Sequence, residues 1–118
     1  MIIGRDSHFS YLMQRFVRTS AHQAIPANPG DDALALAKRE KPIAIVLEVD
    51  APETTGWRVL RTLKSDPEAG KIPVMVCSWQ DESARGLAER ADVCLRMPIL
   101  YTDFEAALAT ILANEKHE

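Results

Sequence analysis

The chain has 118 residues, 47% hydrophobic and 26% charged, with a formal net charge of −3. That length suits one domain, residues 1–118, able to bury roughly two thirds of its unfolded surface, and the charge balance gives no electrostatic reason to expect nucleic acid as a partner. No apolar run approaches the roughly 18 residues of a membrane span and no basic-then-apolar leader is present, so a cytoplasmic location without membrane contact is expected.

Along the chain, short β-like apolar runs alternate with helical periodicities, the pattern of repeated βα units around a parallel sheet. Met1 to Gly4 reads as a first strand, and Ser7 as the N-cap of a helix whose Phe9, Leu12, Met13, Phe16 and Val17 follow helical spacing. A weak second strand is expected at His22 to Ala27. Pro29-Gly30-Asp31 opens a helix with Ala33, Leu34, Leu36 and Ala37 facing inward, and Pro42 closes it. The strand Ile43 to Leu47 is apolar throughout and therefore central, and it runs into Glu48. A carboxylate is thus placed at the carboxyl end of a sheet, where open α/β folds put their sites.

Thr54 and Thr55 can cap a helix carrying Trp57, Val59, Leu60 and Leu63, which ends near Asp66-Pro67 and turns at Gly70. Ile72 to Cys77 gives a fourth strand. A short polar helix from Asp81-Glu82-Ser83 to Arg90 has only Ala84, Leu87 and Ala88 to bury, and Val93 to Arg96 makes a fifth strand. From Thr102, Phe104, Ala107, Leu108, Ile111 and Leu112 define an amphipathic terminal helix that fades into the polar tail Asn114 to Glu118. Five such units fit an α/β fold with a doubly wound, five-stranded parallel sheet, flavodoxin-like, of strand order 2-1-3-4-5.

Pro52 stands four residues beyond Glu48, and Gly56-Trp57 begins eight beyond it. With Gly56-Trp57-Arg58-Val59-Leu60-Arg61-Thr62-Leu63-Lys64 and Ile72-Pro73-Val74, this wording resembles the receiver domains of bacterial response regulators over the whole chain. The resemblance makes Glu48 the equivalent of the phospho-accepting aspartate. It also implies two adjacent acids after the first strand to help hold Mg²⁺, but Arg5-Asp6 stands there. Ser78 occupies the position of the hydroxyl that binds the phosphoryl group. Met97, before Pro98, replaces the lysine that pairs with it, and Cys94 replaces the switch aromatic. A glutamate carboxylate also stands further out than in-line attack geometry built for aspartate allows.

The expectation is therefore a degenerate, or pseudo-receiver, member: a non-enzymatic signalling module without a working phosphorylation cycle and without a cofactor, Mg²⁺ included. Glu48 is expected to form a salt bridge with Arg5 across adjacent strands, a built-in mimic of the phosphorylated state being the sharper reading. Asp50 reads as a solvated loop residue, and His8, His22 and His117 as surface residues. Cys77 and Cys94 have no metal-ligand spacing and read as inert thiols, while Trp79 marks a contact surface or packs. The resemblance implies a protein partner, a histidine kinase or an output protein, or a homodimer, reached through a face containing Arg85, Glu89, Arg90, Tyr101 and Glu105. Two alternatives stay open: a conventional Mg²⁺-dependent phosphoacceptor in a phosphorelay, and a small-molecule sensor using the Met97-lined crevice.

Overall fold

In a computed structural model, residues 1–28, 32–49 and 55–116 are described. Five parallel strands form the sheet: β1 (Ile2–Ile3), β2 (Pro26–Ala27), β3 (Ile45–Glu48), β4 (Val74–Ser78) and β5 (Val93–Arg96). They lie in the order β2-β1-β3-β4-β5, as the βα reading anticipates. The helices are α1 (Ser7–Thr19), α2 (Ala33–Glu40), α3 (Thr55–Ser65), α4 (Ser83–Ala88) and α5 (Tyr101–Lys116). The openings assigned to Pro29-Gly30-Asp31 and Thr54 lie outside the described residues, as do Asp50 and His117.

Pairing of Val46 with Met75 and of Val76 with Cys94 fixes which side chains share a face, because successive strand residues point to opposite sides. Ile3, Ile45, Leu47, Val74 and Val76 pack with Ala33 and Ala37 of α2 and Trp57, Leu60 and Leu63 of α3. Ile2, Val46, Met75 and Cys77 pack with Phe9 and Met13 of α1 and Phe104, Leu108 and Ile111 of α5. The central strands β3 and β4 are buried throughout, as strands covered on both sides must be. Cys77 and Cys94 belong to opposite cores, so no disulfide joins them. Burial pushes the Cys77 thiol far above its ordinary range, which leaves it inert.

Two local readings change. The N-cap of α1 is Asp6, whose Oδ1 accepts the His8 N–H at 2.8 Å, and not Ser7. In α4 the three residues expected inside, Ala84, Leu87 and Ala88, are all exposed, Leu87 by 80%. The buried residue is Gly86. A Cβ there would lie 2.1 Å from Cys94 Sγ, so α4 sits directly on β5 and leaves no room for even a methyl group. Gly86→Ala is expected to cost about 1–3 kcal/mol through overpacking. In a Cys94→Ala background the nearest atom of residue 94 would be its Cβ, 3.8 Å away, and the same substitution should become neutral or stabilising. Urea unfolding of the four variants measures this coupling, and additive effects would refute the contact.

Candidate functional site

Glu48 ends β3, β1 leads into Arg5 and Asp6, β4 ends at Ser78, and Met97 follows β5. All five residues therefore stand at the carboxyl edge of the sheet, the position of ligand crevices in doubly wound folds. Glu48 is 6% exposed. Its Oε1 accepts the backbone N–H of Arg5 at 2.9 Å and of Asp6 at 3.2 Å. Gly4 makes the approach possible, since a Cβ there would meet Oε1 at 3.0 Å and the Phe9 ring at 2.7 Å.

The expected side-chain salt bridge between Glu48 and Arg5 is thus corrected. Arg5 serves the carboxylate through its main chain while its side chain is exposed, and no ion pair of the described residues joins the two. Backbone donors are fixed by the fold and lose no side-chain freedom on pairing, whereas a long exposed guanidinium would have to be ordered. Asp6, for its part, spends Oδ1 on capping α1.

This donor set does not fit a hard divalent cation, which takes about six oxygen ligands. One oxygen of each carboxylate, Glu48 Oε1 and Asp6 Oδ1, accepts backbone N–H groups, and no three His, Cys, Asp or Glu side chains converge among the described residues. Where a cation would reach the fifth-strand loop it meets Met97, 9% exposed and packed in the apolar core on the α1/α5 side.

Asp6, Glu48 and Met97 share one cleft of about 150 Å³ with His8, Phe9, Leu12, Met13, Trp79, Pro98 and Ile99. Its walls are mostly apolar: Phe9, Leu12 and Met13, read from the sequence as apolar positions of α1, line it together with Pro98 and Ile99. Arg5 faces a different hollow, with Gly4, Tyr11 and Asn28. Ser78 is not a lining residue of the cleft. It is 3% exposed, its Oγ accepts the Gln80 N–H at 3.2 Å, and it borders a small hollow with Cys94 and Arg96.

The residues read as an interaction face are largely engaged within the chain. The Arg85 guanidinium lies 4.6 Å from the centroid of the buried Trp57 ring of α3, a cation–π contact. Glu89 pairs with Arg61, and the Arg90 guanidinium donates to the Lys64 carbonyl. Lys64 Nζ in turn donates to the Ile72 carbonyl at 3.1 Å and pairs with Asp92 at 2.9 Å, which itself accepts the Val74 N–H. On α5, Tyr101 packs its ring against Phe16 and Phe104 and donates its hydroxyl to Glu105. Leu87, Leu100 and Trp79 remain exposed, by 80%, 65% and 60%.

No protein-family model matches the chain. Protein PilH of Pseudomonas aeruginosa is 30% identical over 116 residues, covering 96% of this chain and 93% of PilH. The polar-differentiation response regulator DivK of Brucella anthropi is 33% identical over 75 residues, covering 64% of this chain and 61% of DivK. Response regulator PleD of Caulobacter vibrioides is 33% identical over 91 residues, 75% of this chain but only 20% of PleD, so relatives differ widely in what lies beyond the matched region. Among solved structures, a putative response regulator from Chloroflexus aurantiacus superimposes with a TM-score of 0.81 at 19% identity, covering 95% of each chain. The chemotaxis protein CheY4 of Vibrio cholerae gives 0.81 at 15% identity, covering 93% of this chain and 94% of its own. Fold, strand order and the near full-length likeness to PilH agree: the chain belongs to the response regulator receiver domain family.

Proposed function

We propose that this receiver signals through protein contacts alone and runs no Mg²⁺-dependent acyl-phosphate cycle, that is, that it is a degenerate, non-enzymatic member of its family. The observation that carries this reading is the position of Glu48. Its carboxylate is folded back onto the amide N–H groups of Arg5 and Asp6, and an apolar Met97 stands where a phosphoryl group would need a cation. A phosphoryl dianion beside Asp6 would face repulsion of about 4 kcal/mol per pair of unit charges near 4 Å at intermediate dielectric. Neither a metal ion nor a lysine would offset it.

The partner in this reading is a histidine kinase, an output protein or a second copy of the chain. With Arg85, Glu89 and Arg90 held against α3, the free part of the α4–β5–α5 surface is apolar at Leu87 and Leu100. Exposed large apolar side chains are the usual anchors of a contact. Leu87→Asp combined with Leu100→Asp is expected to weaken self-association or partner capture at least tenfold, equivalent to about 1.4 kcal/mol, with unfolding unchanged. Acetyl phosphate with Mg²⁺ should leave the same contacts unaffected. Sedimentation and pull-down assays read both effects. Contacts that survive the double substitution would remove this face from the proposal, and contacts that appear only after phosphodonor treatment would restore the conventional switch.

A further inference from the structure

The cleft above Glu48 has a composition that suits a ligand of a different kind from a phosphoryl group. Its floor is made by Phe9, Met13, Met97 and Ile99, all buried core residues. Two carboxylates, Asp6 and Glu48, stand at its polar end, and no lysine or arginine is among the described residues lining it. The Asp6 side chain is 53% exposed; its Oδ1 caps α1 and lies 3.8 Å from the imidazole of His8, which also lines the cleft, so an incoming group would meet Oδ2. Trp79, 60% exposed, contributes an aromatic wall at the rim.

Such a site repels anions and attracts cations, because the negative groups and the ring face both favour positive charge. Its apolar floor rewards a hydrophobic body. A volume of about 150 Å³ is that of a cavity able to hold one benzene ring. We infer that the cleft bounded by Asp6, Glu48, Trp79 and Met97 is a binding site for a small organic amine, a single ring or short alkyl body carrying one ammonium group. The body would rest on Leu12 and Met97, above the fully buried Met13, with the ammonium between the carboxylates and the Trp79 ring.

This site goes beyond the contact-based reading above and does not depend on it, since ligand occupancy and partner capture are read separately. The test is a titration of the full chain with benzylamine, benzyl alcohol and benzoate, followed by NMR of the Met13 and Met97 methyl groups and the Trp79 indole N–H. Benzylamine is expected to shift all three signals with a Kd on the order of 1 mM. Benzyl alcohol should bind more weakly, and benzoate should leave the signals in place. Asp6→Asn keeps an efficient helix cap but removes the charge, and should weaken benzylamine roughly threefold to fivefold. Met97→Lys places an ammonium group of the protein's own in the cleft and should abolish amine binding. Benzoate binding as tightly as benzylamine, an unchanged affinity in Asp6→Asn, or no shift at the methionine methyls would each overturn the assignment.

Discussion

Incubated with acetyl phosphate and Mg²⁺, the wild-type protein is expected to keep its unmodified intact mass. Acyl phosphorylation of a receiver-like site needs a carboxylate free to attack in line, oxygen ligands that hold the metal, and a cation that accepts the developing charge. In this chain Oε1 of Glu48 accepts two backbone N–H groups, Arg5 brings a positive side chain to a position implied to be acidic, and Met97 is packed into an apolar core. Glu48→Asp alone should not recover the reaction, because it shortens the nucleophile and leaves the other two positions as they are. Arg5→Asp, Glu48→Asp and Met97→Lys together are expected to yield a single, hydroxylamine-labile phosphoryl adduct, the signature of an acyl phosphate. The decisive species is the wild type: an adduct on it, mapped to Glu48 or Asp50, would end the phosphorylation-independent reading. Circular dichroism of the triple variant guards against a negative result caused by misfolding.

The sheet was legible because five apolar runs separated by helical periodicities admit few arrangements, and the apolar run Ile43 to Leu47 reads as a central strand, although β3 itself spans Ile45–Glu48 and Ile43 is exposed. The long helices α1 and α5 follow from Phe9, Met13, Phe104, Leu108 and Ile111, which recur on one face over several turns. Helix α4 fails that test. Six residues span less than two turns, so periodicity has no second cycle to confirm it, and the helix is oriented by what lies under and beside it. Gly86 over Cys94 and Arg85 over Trp57 turn Leu87 outward. At the site, the identity of Glu48 could be read from spacing, but its partners could not. Side chains advertise charge in a sequence, whereas the N–H groups of Arg5 and Asp6 are common to every residue except proline and become donors only through the turn that presents them. The cleft was partly foreseen through Met97, while Trp79 and Ile99 reach it from separate loops.

Substitutions at Glu48 separate its charge from its hydrogen bonding. Glu48→Gln keeps an amide oxygen able to accept from Arg5 and Asp6, and losing a buried charge offsets part of the weaker bonding. Its unfolding free energy should stay within about 1 kcal/mol of wild type. Glu48→Ala removes the acceptor altogether. Two part-buried N–H groups at the β1–α1 junction then lose a charge-assisted partner, and the change should cost about 1.5–3 kcal/mol. Glu48→Asp should resemble alanine more than glutamine, because a side chain one methylene shorter falls away from both amides. Urea unfolding monitored by fluorescence gives the order, and hydrogen exchange at the Arg5 and Asp6 amides locates it, with faster exchange expected in the alanine and aspartate variants. A carboxylate present only as a mimic of phosphate would give another order: glutamine and alanine equally altered in partner binding, and neither appreciably less stable. If the alanine variant unfolds within about 0.5 kcal/mol of wild type, the carboxylate does not hold the β1–α1 loop, and the proposed inertness toward phosphodonors loses its structural basis.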